Sequence, residues 1–200
     1  MSLSPRLPPF ATDLPPFELK GRMLWPIVQG GMGVGVSAHR LAGAVAALGA
    51  VGTIASVDLR RHHADLMDAS RHGSKAVVDA ANLEALDREI RGAKAVAQGR
   101  GAVAVNVMRA VSEYPAYVRR ACESGADAIV VGAGLPLDLP EIAADWPHVA
   151  LVPILSDARG IALVVRKWMR KGRLPDAVVV EHPRHAGGHL GAARLEDLSD

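Results

Sequence analysis

Residues 24–35 read Leu24-Trp-Pro-Ile-Val-Gln-Gly-Gly-Met-Gly-Val-Gly35, an apolar run that ends abruptly in a cluster of glycines. Apolar residues without polar alternation predict a strand buried on both faces, which is the habit of parallel sheets. A helical pattern follows over Ala38–Leu48 and stops at Gly49, with Ser37 placed to cap it. The unit is strand, glycine-rich turn, helix, and its rhythm repeats along the chain. Strands are expected at Leu24–Gln29, Val51–Ser56, Ala102–Asn106, Asp127–Val131, Val149–Leu155 and Asp176–Glu181. Helices are expected between them, at Asp79–Gln98, Tyr114–Ser124, Leu139–Ala144 and Ala158–Arg170. Alternations spaced by roughly 30 residues predict an α/β fold with a parallel sheet and right-handed crossovers. Periodicity leaves two architectures open, the closed (β/α)8 TIM barrel and the open doubly wound sheet.

The bulk numbers narrow the function classes. The 200 residues suffice for one sizeable core but fall short of the roughly 250 typical of a closed barrel. A net charge of +2, with basic residues scattered along the chain, gives no reason to expect nucleic acid. The start lacks the apolar stretch of a signal peptide and no apolar run is long enough for a membrane span, so the expected location is the cytoplasm. Cys122 is the only cysteine, which excludes an internal disulfide; its helical setting near Gly125 predicts a buried thiol. Residues 1–22 hold five of the 13 prolines and predict an irregular lead-in, leaving 23–200 as the domain. The polar stretch 57–78, which includes Arg60-Arg-His-His63, follows a strand end and reads either as a lid with substrate contacts or as a solvated loop. The basic run Arg166–Arg173 reads as the solvated end of a helix.

Three places could carry chemistry. Gln29–Gly35 would let backbone approach a flat or anionic ligand closely. Within it Gly33–Ala38 also fits a G-x-G-x-x-A dinucleotide fingerprint, with Asp58 as a candidate ribose-binding acid. Asn106 ends a buried apolar strand, where an amide is costly unless bonded. Ser156 and Asp157 end another strand and are expected to cap the next helix. The third place is Glu181-His-Pro-Arg-His-Ala-Gly-Gly-His-Leu-Gly191. His182, His185 and His189 have a spacing that a metal could use, but Pro183 and the glycines deny the helical register for it, so no metal is expected. A single histidine after Ala186-Gly-Gly188 suggests instead a base set against a ligand for which the glycines leave room.

The pieces Pro26-Ile-Val-Gln-Gly-Gly-Met32, Val105-Asn106 and Ala186-Gly-Gly-His-Leu-Gly191, in that order, resemble the nitronate monooxygenases, formerly called 2-nitropropane dioxygenases. Arg173-Leu-Pro-Asp-Ala-Val-Val-Val-Glu181 resembles the lead-in strand of one branch of that family, and the likeness covers about residues 25–191. It implies a (β/α)8 TIM barrel, of which this chain supplies about the first six βα units, with FMN at the C-terminal mouth of the strands. By the same resemblance Gln29, Gly30, Gly31, Met32, Asn106, Glu181, Gly187 and Gly188 would line the FMN. His189 would be the catalytic base that takes the α-proton of a nitroalkane or orients its nitronate, with O2 as the oxidant. The expected partners are these small molecules, with a homodimer left open. The same motifs resemble the flavin-type enoyl-acyl-carrier-protein reductases, which use NAD(P)H. A non-catalytic barrel fragment and an NAD-binding module are the readings of another class.

Overall fold

The computed structural model describes residues 12–181. Two short strands, β1 (Phe17–Leu19) and β2 (Arg22–Leu24), pair antiparallel through a tight turn at Lys20 and Gly21, where an irregular lead-in was expected. Six strands then form one parallel sheet: β3 (Val28–Gln29), β4 (Val51–Ala55), β5 (Ala102–Met108), β6 (Ala128–Gly132), β7 (Ala150–Leu155) and β8 (Val179–Val180). The helices are α1 (His39–Ala47), α2 (Ala64–Ser70), α3 (Lys75–Ala97), α4 (Tyr114–Glu123), α5 (Leu139–Ile142) and α6 (Ala158–Met169).

The spatial order of the sheet is β3-β4-β5-β6-β7-β8, the order of the sequence itself. A doubly wound sheet reverses direction at a switch point, and this one does not. Each strand adds to the same edge, as in the wall of a (β/α)8 barrel. The open-sheet alternative fails on this point, and with it the reading of Gly33–Ala38 as a dinucleotide fingerprint.

The two faces of the sheet carry different cores. Ile54, Val103, Val105, Ile129 and Leu151 pack outward against buried helix residues such as Ala46, Leu86, Ile90, Val118 and Trp168. Val51, Ala102, Ala104, Ala128, Val130, Ala150 and Val152 form the opposite layer together with Leu19 and Leu24. Val51, Ala102, Ala128 and Ala150 are the first residues of their strands, so the β1–β2 hairpin covers the N-terminal end of the sheet. Ion pairs reinforce that end. Asp127 accepts from Lys94 at 2.8 Å, Arg22 at 3.2 Å and the Val103 N–H at 2.8 Å. Asp176 repeats the pattern one strand pair along, with Lys20, Arg173 and the Leu151 N–H. Arg173 therefore belongs to a bonded network, although the basic run read as a solvated helix end.

Several boundaries differ from expectation for physical reasons. The first parallel strand is only Val28–Gln29, because Leu24 is drawn into the hairpin opposite Phe17 and Pro26 has no N–H to give a ladder. The stretch 57–78 is not a loop: Leu59–His62 form a 3-10 turn, α2 follows, and α3 starts at Lys75. Leu59 is fully buried and holds the segment down. Asp157 does cap its helix, accepting from the Gly160 N–H at 2.7 Å.

Cys122 is buried in α4, and burial pushes its thiol up to about 12. The thiolate is the reactive species, and burial disfavours it. A disulfide reagent is expected to leave the folded protein unlabelled and to modify one thiol per chain after denaturation. Rapid labelling of the native protein would contradict the burial.

Candidate active site

The C-terminal ends of the parallel strands gather most of the predicted site residues. Gln29 closes β3, yet its side chain does not turn toward the mouth. Its Oε1 accepts the Thr53 N–H at 3.1 Å, and its Nε2 donates to the Thr53 carbonyl at 3.1 Å. The last backbone pair of this ladder is Gln29 with Gly52. The amide therefore supplies the next rung, extending β3 by a side chain where the backbone departs into the turn.

The turn itself is clipped by Ser37. This fully buried hydroxyl accepts the Met32 N–H at 2.8 Å, and the Ser37 N–H donates to the Met32 carbonyl at 3.0 Å. Ser37 thus does not cap α1, whose N-cap is Ala38 without a side-chain bond. Between these clips, alternate glycines each lie on a different element. A Cβ on Gly31 would come within 2.5 Å of the Asn106 Cβ, on β5. One on Gly33 would meet Val57 at 3.6 Å, and one on Gly35 would meet the His62 Nε2 at 2.6 Å. Gly35 also sits at φ +81°, which an L side chain resists. The small residues face the protein while Met32, Val34 and Val36 stand exposed. Gly30 differs, because nothing lies within 4 Å of where its Cβ would be. That side of its backbone is open space, while its carbonyl accepts from the Gln29 Nε2.

Asn106 is half-buried beneath this turn. Its Nδ2 donates to the Val130 carbonyl at 3.3 Å, and its own carbonyl accepts the Ser56 N–H at 3.1 Å. No described residue donates to its Oδ1. Its pairing partners across the sheet are Ala55 and Val130, so the floor around the amide is apolar. Thr53, two residue pairs nearer the strand starts, is 1% exposed, and its Oγ1 has no partner among the described residues. Sequence reasoning missed this hydroxyl, because a threonine inside an apolar strand reads as a β-former.

Glu181 stands just past β8, half-buried, with its N–H donating to the Leu155 carbonyl at 2.9 Å. It shares the C-terminal end of the sheet with Asn106 but lies three strands away. Gly187, Gly188 and His189, like His182 and His185, lie outside the described residues. Asp58, the candidate ribose acid, is already engaged. Burial pushes its carboxyl up, but the Arg61 and Arg60 guanidiniums outweigh that and hold it below the usual carboxylate range. Among the described residues no group of three or more His, Cys, Asp or Glu is placed to hold a metal ion. No helix of the described residues is long and apolar enough to cross a membrane.

The family model described as nitronate monooxygenase matches residues 18–200. Among solved structures, FabK from Thermotoga maritima superposes with a TM-score of 0.53 at 21% identity, over 84% of this chain and 43% of that one. The chain thus spans less than half of the FabK chain that it matches. Nitroalkane oxidase from Streptomyces ansochromogenes aligns over 78% of this chain and 65% of that one, at 18% identity, with a TM-score of 0.34 that is too low to bear on the fold. No curated protein matches the sequence.

Proposed function

The chain belongs to the nitronate monooxygenase family, and from that premise we propose that it forms the flavin-facing part of an oxidoreductase acting on nitronates and nitroalkanes with O2. The observation that carries this reading is the seating of Gly31 against Asn106 at the C-terminal mouth of the strands, with open space beside Gly30. A planar ring with amide-like edges suits what is present there. Gly30 leaves open space on its Cβ side, the Asn106 Oδ1 is free to accept from a ring N–H, and Ala55 gives an apolar floor. FMN is the cofactor we assign to this mouth, with Gly30, Gly31, Met32 and Asn106 along the ring, and Glu181, Gly187 and Gly188 lining the same pocket.

When bound, a flavin would supply the electron acceptor for nitronate oxidation, with O2 as the final oxidant. The chain's own residues do the rest. Asn106 fixes the orientation of the ring, and the apolar strand ends keep water from the reacting face. His189 takes the α-proton of a neutral nitroalkane onto its imidazole, leaving the anionic nitronate. Gln29 acts one step removed. By spending its amide on Thr53 it fixes where the turn begins.

The anaerobic visible spectrum of the purified full-length protein tests the reading. A flavin band that a nitronate bleaches and NADH does not is the expected result. Rapid bleaching by NADH would replace nitronate oxidation with an NAD(P)H-dependent reductase. A full-length protein without a flavin band would overturn the cofactor assignment.

A further inference from the structure

The run Arg60-Arg-His-His63 is the part of the chain that the proposed function leaves unused, and three of its four members are committed to carboxylates. Asp58 holds Arg60 at 2.9 Å and also holds Arg61. The His63 Nε2 lies 3.0 Å from the Glu89 Oε1. Glu89 sits on α3, is 1% exposed, and also takes the His39 N–H at 2.6 Å and the His39 Nδ1 at 2.7 Å. One buried carboxylate therefore ties the start of α1, just past the glycine turn, to the start of α2. Leu59 is fully buried on one side, and Asn82 accepts the Arg60 N–H at 3.1 Å on the other. The segment is fixed.

His62 is the exception within it. The side chain is exposed, makes no hydrogen bond or ion pair to a described residue, and lies against Gly35 with Nε2 foremost. A methyl group at position 35 would collide with the ring. An imidazole held by its neighbours, unpaired, against the rim of a ligand-binding turn is a group placed for a ligand. Asn106 and Gly31 mark one end of the turn, and His62 and Gly35 mark the other. With the flavin ring at the Asn106 end, what lies beside the ring falls to His62.

We propose that His62 is a substrate-contacting residue that donates a ring N–H hydrogen bond to the anionic oxygens of the bound nitronate from the Gly35 side of the mouth. The inference rests on the nitronate reading above and adds a specificity role that the reading lacks. Glu89 and His63 act through it as positioning residues.

The test uses the full-length flavin-loaded protein with two variants, His62→Ala and His62→Gln. Two readouts are needed: the Kd for inorganic nitrite from the flavin difference spectrum, and the steady-state constants for a nitronate. Loss of one hydrogen bond to an anion is expected to raise both the nitrite Kd and the nitronate KM by about tenfold in His62→Ala. Flavin content should be unchanged and kcat within about twofold, with partial rescue in His62→Gln because its amide can still donate. Unchanged Kd and KM would overturn the proposal. So would flavin loss in His62→Ala, which would move the contact to the cofactor. A wild-type protein that holds no flavin or ignores nitronates would instead sink the underlying reading, and this inference with it.

Discussion

Replacing His189 with alanine is expected to leave flavin bound and to slow turnover of neutral nitroalkanes by about 10²-fold or more. The reason is the proton. A nitroalkane must lose its α-hydrogen before the carbon can be oxidised, and the resemblance at Ala186-Gly-Gly-His189 puts the imidazole in that role. With an ordinary pKa of about 6.5 an imidazole is largely unprotonated at neutral pH and can accept. A nitronate prepared beforehand has already lost that hydrogen. The same variant is therefore expected to keep its rate on nitronate within about tenfold of wild type. The wild-type rate on nitroalkane should fall as pH drops through the pKa of the base, and the variant should lose that limb. Equal turnover of nitroalkane by both proteins would remove His189 from the mechanism. Equal losses on both substrates would reassign it from base to binding group.

Much of this arrangement was legible in the residues, and the illegible parts have physical causes. The alternation of apolar runs and helices gave the six parallel strands, because a strand buried on both faces cannot carry polar alternation. It could not give the order of those strands, which decides between barrel wall and doubly wound sheet. Order depends on which side each crossover returns, and both sides bury the same pattern. The glycines of the first turn were visible, but their partners were not. Gly31, Gly33 and Gly35 answer to Asn106, Val57 and His62, and two of these three come from the segment that follows β4. Ser37 reads as a helix cap because serine before a helix usually is one. Here its hydroxyl is drawn back to Met32, since a sharp glycine turn leaves that N–H unpaired. Arg60–His63 read equally as part of a lid or of a solvated loop, because a polar, charged stretch after a strand end fits both. Only the fold shows that Asp58 and Glu89 pair with three of them.

The placement of that first turn hangs on one position in the next strand, and among the described glycines substitution there should be the most damaging. Gly52 is the second residue of β4, where α1 crosses it. A Cβ at Gly52 would stand 1.8 Å from the Ala42 carbonyl oxygen and 2.7 Å from the Ala42 Cα. These are backbone atoms, so no rotamer change relieves the clash, and the helix itself must move. Gly52→Ala is expected to cost about 3 kcal/mol or more, seen as a fall of about 10 °C in Tm. Gly160→Ala supplies the contrast. It adds the same methyl in the first turn of α6, where the nearest atoms are at 3.6 Å and φ is ordinary. Better helix propensity and a less flexible unfolded chain should then stabilise by about 0.5–1 kcal/mol. The two variants differ by one methyl in opposite settings, so their opposite signs would measure backbone approach rather than glycine as such. A consequence for function follows from the geometry of α1. Its N-terminal end carries Ser37 and His39, which hold Met32 and Glu89. A helix lifted at Ala42 pulls on both, so Gly52→Ala should also lose flavin at temperatures where it remains folded. A Gly52→Ala protein with wild-type Tm and full flavin content would show that α1 does not set the turn.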